Sequence, residues 1–226
     1  LAGDDPEVNE QWNCDKGRFG FYYGRQADRL SYPLVRRDGE LVPASWPEAI
    51  DAAVAGLKAA GASSGVLTGG RLTLENAFAY SKFARAVLGT NSIDFRTRPY
   101  GADEAGFLAA EVTSREIDVT FTDLENAAKV VLVGFEPEEE SSAVFLRLRK
   151  GNRKNGTRIL AVAPFLTSGS RKLGAVLVPT APGDEVQALD SIAAELDEGT
   201  IVLVGERAGL VPGLLPKIRE YAAKGL

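Results

Sequence analysis

Four short apolar runs, set among stretches of helix length, constrain this chain more than anything else in it. "AKVVLVG" from Ala128 to Gly134 is continuous and β-branched, as a strand buried on both faces requires. "TRILAVA" (157–163), "AVLVPTA" (175–181) and "GTIVLVG" (199–205) follow, with helical stretches at about 138–152, 184–196 and 213–223. Strands alternating with helices in this way give the fold class: α/β, a mostly parallel sheet with helices on both faces.

The upstream half carries the same grammar in shorter pieces. Ser45 and Glu48 form a capping box, Pro47 is tolerated in the first turn, and Trp46, Ile50, Ala53, Val54 and Leu57 share one face up to Gly61, which predicts a helix over 46–60. "SGVLTGG" reads as a short buried strand. Thr73 caps a second helix whose apolar residues, Leu74 to Leu88, end at Gly89. Ile93–Phe95 is a further short strand, and 96–118 is a polar excursion with one helix at about 103–110. "LSYPLVRRDGELV" (30–42) signals a hairpin turning at Asp38 and Gly39. Residues 1–29 show no period. The expected organisation is an irregular linker and hairpin over 1–44, then an α/β domain over 45–226.

Composition removes several function classes. The net charge of −5 and pI near 5.0 argue against nucleic acid as a partner, and no apolar run reaches the roughly 20 residues of a membrane-spanning helix, so no direct membrane insertion is expected. A single cysteine excludes an internal disulfide framework and favours a reducing, cytoplasmic setting; no signal peptide is visible. With no histidine in 226 residues, neither a Ser-His-Asp triad nor a histidine metal site can be built. The chain begins at Leu1 and contains no methionine, which reads as a piece of a longer protein.

Candidate sites are sparse. "LTGGR" (67–71) offers two glycines, a following helix N-terminus and Arg71, which suit an anion, although a plain tight turn explains them equally simply. "VGFEPEEES" crowds Glu136, Glu138, Glu139 and Glu140 into a first helical turn, a solvated, dipole-complementing start that repels phosphate. "RLRKGNRK" (147–154) places its cations near a helix C-terminus, which they also complement. No carboxylate pair has an acid/base spacing, and no catalytic residue is assigned. Cys14, taken alone, reads as a free core thiol, since one thiolate cannot hold zinc or an iron–sulfur cluster by itself.

Its neighbours change that reading. "NCDKGRFGFYY" followed by "RLSYPLVRRDGELVPASWPEAI" resembles the junction in molybdopterin oxidoreductases where the last cysteine of an N-terminal four-iron cluster, C-x-K-G-R-F, leads into the α/β body. "SKFARAVLGTNSIDFRTR" and "VVLVGFEPEEESSAVFLRLRK" extend the resemblance to about Leu189. Within that superfamily, "DPEVNEQWNCDKGRF" and "VGFEPEEES" most resemble the large peripheral-arm subunits of bacterial NADH-quinone oxidoreductases. The resemblance implies that Cys14 is one metal ligand of a four-iron, four-sulfur cluster whose other ligands lie outside this chain, with Lys16 and Arg18 near the cluster. It implies a structural, non-catalytic role within a larger electron-transfer chain from NADH to quinone, peripheral to the inner face of the cell membrane, with the other subunits of that complex as partners.

The sequence departs from the family where molybdenum is held. "RTRPYGAD" puts Tyr100 and Gly101 in place of a soft metal ligand, the "V-D-P-R" turn reads Val162, Ala163, Pro164, Phe165, and "P-G-T-D" reads Pro182, Gly183, Asp184, Glu185. Molybdopterin is therefore not expected to bind. Two alternatives stay open: a working molybdopterin-guanine-dinucleotide oxidoreductase related to formate dehydrogenase or nitrate reductase, and a non-enzymatic nucleotide-binding module built on "LTGGR".

Overall fold

A computed structural model describes residues 2–96, 98, 101–113, 115, 116 and 118–223. They form two compact units, Phe21–Pro99 and a larger one made of Leu1–Gly20 with Tyr100–Leu226. Residues 1–20 belong to the larger unit and close with a short helix, α1 (Asp15–Phe19).

In the smaller unit local signals act as read. Strands β1 (Leu34–Arg37) and β2 (Glu40–Pro43) pair antiparallel across Asp38 (φ 49°) and Gly39 (φ 88°), the two left-handed positions of a type I′ turn. Helix α2 (Trp46–Ala60) starts on the reciprocal Ser45–Glu48 capping box and ends at Gly61, φ 52°. Strand β3 (Val66–Leu67) precedes helix α3 (Leu74–Phe83), capped by Thr73; the wider turn Ala84–Leu88 then runs to Gly89, and β4 (Ile93–Asp94) pairs parallel with β3. The apolar face of α2 is exposed, with Trp46 at 69%, Ile50 at 56% and Val54 at 42%.

The larger unit continues with α4 (Ala102–Phe107) and α5 (Phe121–Asn126). Helix α5 is capped by Thr120 and Asp123, a start that the sequence reading passed over. Strand β5 (Lys129–Val133) leads through the one-turn α6 (Pro137–Glu140) into α7 (Ser142–Asn155), which is set off from α6 at Ser141. Then come β6 (Arg158–Ala163), α8 (Ser168–Lys172), β7 (Val176–Pro179), α9 (Glu185–Ser191), β8 (Thr200–Val204) and α10 (Leu214–Ala222). The sheet order is β7-β6-β5-β8, every pair parallel. Strand order thus reverses direction between β5 and β8, the switch point of a doubly wound sheet.

Side-chain alternation along the strands divides the core in two. Val131, Val133, Leu160, Val162 and Val178 meet Leu189 of α9 and Leu214, Leu215 and Ile218 of α10. Val130, Leu132, Ile159 and Ala161 meet Leu124 of α5 and Phe145 and Leu148 of α7. Helices α5 and α7 approach so closely that a Cβ on Gly151 would lie 2.5 Å from the Glu125 carbonyl oxygen. On the other face Tyr221 donates to Asp190 Oδ1 at 2.6 Å, tying α10 to α9.

Two outcomes follow. Gly151→Ala would favour an isolated helix by about 1 kcal/mol, but here backbone overlap reverses the sign, and denaturant titration should show a loss of about 1–3 kcal/mol. Burial and the Asp190 carboxylate push the Tyr221 phenol up to about 12. The unfolded phenol ionises near 10 while the folded one stays neutral, so the Tyr221 contribution is whole below about pH 10 and lost as pH rises toward 12. Tyr221→Phe should remove that part of the alkaline fall in melting temperature.

Candidate functional site

Cys14 sits where the chain turns into α1. It is the N-cap of that helix, is half-buried, and its Sγ accepts from the Gly17 N–H at 3.3 Å. Gly17 first and Ser142 second hold the thiol below its ordinary pKa against a smaller opposing effect of burial. A sulfur presented to an N–H donor fits a thiolate ligand of an iron–sulfur cluster, because hydrogen bonds to sulfur stabilise its negative charge. Among the described residues no three Cys, Asp or Glu side chains gather into a metal-holding group.

Lys16 and Arg18 take different directions. Lys16 Nζ donates to the Glu139 carbonyl at 3.4 Å, so α1 is fastened to the α6–α7 corner. Arg18 donates to Asn13 Oδ1 at 2.9 Å, pairs with Asp15 at 3.4 Å and lies 5.8 Å from the Phe19 ring centre. Its charge is shared with Asp15.

The segment before Cys14 holds the residues that sequence reading missed. Arg147, taken from its position as a cation suited to a helix C-terminus, is instead 5% exposed. Its Nη1 donates to Glu125 at 2.9 Å and its Nη2 to the Pro6 carbonyl at 2.6 Å. Lys150 pairs with Glu10 at 2.6 Å and Glu125 at 2.9 Å. The Lys150 hydrogen bond holds Glu10 below the usual carboxylate range. Burial pushes Glu125 up, but its bonds to Lys150 and Arg147 outweigh this and leave it lowered. The available signal was the three-residue spacing of Arg147 and Lys150, which puts both on one side of α7. Their acceptors in residues 6–10 lie more than a hundred residues upstream and left no local trace.

The carboxyl edge of the sheet, where ligands of doubly wound folds bind, is closed at its switch point. A Cβ on Gly205, at the end of β8, would lie 2.2 Å from the Gly134 oxygen at the end of β5, and one on Gly134 would lie 2.5 Å from the Ala208 nitrogen. Arg207 crosses the gap, donating to the Gly134 oxygen at 3.3 Å and to Glu140 at 2.9 Å. The backbone at the ends of β5 and β8 is thus closely packed at the switch point. The acidic turn beside it is not simply solvated: Glu136 is 8% exposed and accepts from Thr167 Oγ1 at 2.5 Å, while Glu138 pairs with Lys172. Phe165 and Ala163 end β6 without a polar group, and Glu185 accepts from the Gly183 N–H at 2.8 Å. Gly101 precedes α4, and Tyr100 lies outside the described residues. In the smaller unit Gly69 (φ 74°) and Gly70 turn the chain before α3 beside an exposed Arg71.

A doubly wound sheet preceded by a cysteine-capped turn is the setting in which comparison with known proteins becomes informative. The sequence pattern of the molybdopterin oxidoreductase family matches residues 29–180. The chain belongs to the molybdopterin oxidoreductase family. It is 50% identical, along its whole length, to the G subunit of NADH-quinone oxidoreductase from Streptomyces coelicolor, of which it covers 30%. It is 52% identical over 98% of its length to the protein of that name in Mycobacterium tuberculosis, covering 29% of it. The alpha subunit of F420-dependent formate dehydrogenase 1 from Methanococcus maripaludis is 28% identical over 89% of the chain. The chain thus spans about 30% of the length of the curated relatives it matches most fully.

Because Cys14 is the only thiol, alkylation reports it alone. The pH–rate profile of alkylation should rise with a midpoint below the ordinary cysteine value of about 8.5, and Ser142→Ala should move that midpoint upward. An unchanged midpoint would mean that the hydroxyl contributes nothing.

Proposed function

We propose that this chain is part of a large peripheral-arm subunit of an NADH-quinone oxidoreductase, where it forms a structural α/β domain and supplies Cys14 to an iron–sulfur cluster. The observation that carries this reading is identity of about half, along the entire chain, to the G subunits of such enzymes. The environment of Cys14 supports it, since the Gly17 N–H donates to the sulfur and the thiol is held below its ordinary pKa, first by that bond. A four-iron, four-sulfur cluster supplies one-electron transfer when bound. The chain's own contribution is to hold the thiolate and fix its orientation; Lys16, fastened to Glu139, steadies α1 beside it.

In this reading the chain alone catalyses nothing, and NADH oxidation and quinone reduction occur on partner subunits. Its place in the complex is peripheral, on the cytoplasmic side of the membrane. Among the described residues no helix is long and apolar enough to cross one. The acidic net charge suits protein partners rather than nucleic acid. The second reading, a molybdopterin-dependent oxidoreductase, draws on the family match and the formate dehydrogenase relatives. The closed switch point and the missing soft ligand at Gly101 weigh against it.

Both readings meet in one experiment on the complete polypeptide. Cys14→Ser should abolish the electron paramagnetic resonance signal of one cluster and lower bound iron, and metal analysis of the wild type should find iron without stoichiometric molybdenum. Unchanged iron in the variant would sink the ligand assignment; stoichiometric molybdenum would favour the enzyme.

A further inference from the structure

Residues 3–12 are folded back on themselves in a compact knot. The Asp5 carboxylate accepts from the Glu7 and Val8 N–H groups at 3.0 and 3.2 Å, and Asp5 and Glu10 exchange backbone hydrogen bonds at 3.0 and 2.6 Å. Asn9 Nδ2 donates to the carbonyls of Gly3 and Trp12, both at 3.0 Å. Glu10 is held at φ 53°, a left-handed conformation that a non-glycine residue keeps only when its surroundings over-determine it. Those surroundings are on α7. Arg147 Nη2 reaches the carbonyls of Pro6 at 2.6 Å and Val8 at 3.2 Å, its Nη1 reaches Glu10 at 3.4 Å, and Lys150 reaches the same carboxylate at 2.6 Å. Glu125 of α5 completes the group, so two cations meet two carboxylates.

The corner just ahead of α7 touches the chain a second time. Six residues beyond Glu10, Lys16 Nζ donates to the carbonyl of Glu139 at 3.4 Å. The α6–α7 corner therefore holds Lys16, while Arg147 and Lys150 further along α7 hold residues 6–10.

We infer that α7 and the corner ahead of it form a two-point clamp that positions Cys14, with Arg147 as the positioning residue that fixes residues 6–10 and hence the place of the thiol four residues on. This rests on the reading of Cys14 as a cluster ligand. The arrangement suits the task because a planar guanidinium presents donors in a fixed fork. It reads the Pro6 and Val8 carbonyls while Glu125 holds it in place, and a shift of the segment by one residue breaks the two carbonyl contacts. Hydrogen bonding and exposure around cluster sulfurs set reduction potential, so the clamp acts on the cluster through its ligand.

Hydrogen exchange and redox spectroscopy test the clamp together, the first on this chain and the second on the complete, cluster-loaded polypeptide. Arg147→Met should speed exchange at the Glu10, Trp12 and Gly17 amides by about tenfold or more, the loss expected for a charged hydrogen bond, while amides of Val130–Val133 stay protected. The potential or resonance signature of the Cys14 cluster should shift, and Arg147→Lys, which keeps the charge but not the fork, should fall between Met and wild type. Lys150→Met, at a more exposed position, gives a weaker form of the same result if Arg147→Met does not fold. Unchanged exchange over residues 5–17 would overturn the clamp. Faster exchange with an unchanged cluster signature would also overturn it as a positioning device while leaving Cys14 a ligand. Iron retained in Cys14→Ser would instead defeat the ligand reading, and with it the clamp's role at a cluster.

Discussion

Burial of strand β5 on both faces is the constraint from which the larger unit follows. Val130 to Val133 are 0–2% exposed, so each successive side chain needs a helix-built cover on its own side of the sheet. That requirement splits the core, with α9 and α10 opposite Val131 and Val133, and α5 and α7 opposite Val130 and Leu132. It also fixes what α7 can do elsewhere. Phe145 and Leu148 are committed to the sheet, and Arg147 and Lys150 lie off that apolar stripe, where they meet residues 6–10. Packing thus supplies the rigid side of the helix from which the N-terminal segment is held.

The switch point is packed by the protein itself. Doubly wound sheets leave a crevice where the strand order reverses, and glycines at the strand ends normally let a ligand approach the backbone there. In this chain Gly134 and Gly205 end β5 and β8, and the backbone of residues 205–208 approaches Gly134. Arg207 bonds to Gly134 and Glu140 across this edge, and Glu140 Oε1 accepts from the Glu136 N–H at 2.8 Å. The acidic turn after β5 is thereby tied to the turn after β8.

What was legible in the sequence was local. The Asp38-Gly39 turn, the Ser45–Glu48 box, Thr73 and the stops at Gly61 and Gly89 act within a few residues, and each stands where its residue types predict. The β-branched runs gave the parallel strands because period and composition agree in them. Helix α5 was missed although Thr120 and Asp123 cap it, because aspartate in place of glutamate weakens the signal and only six residues follow. The break at Ser141, the one-turn α8 and the burial of Glu136 depend on tertiary contacts with Thr167, Lys172 and Arg207. Cys14 is the mixed case. Its meaning came from resemblance in the order of its neighbours, whereas its hydrogen bond from the Gly17 N–H comes from the turn into α1.

Why the segment is held by charge rather than by an apolar staple is itself informative. Burying a guanidinium is costly, and replacing buried ion pairs by apolar residues often leaves stability unchanged or raised, so stability alone does not explain Arg147. Apolar contact is non-directional, and a segment resting on it can slide along the helix with little change in buried area. A guanidinium that reads two carbonyls two residues apart, and is matched by Glu125, accepts one register only. Residues 6–10 contain little that could pack: Pro6 and Val8 are their only apolar members, and Val8 is exposed at 41%. The polar cluster exchanges some stability for a defined position. Four residues further on, that position decides which way the sulfur of Cys14 faces.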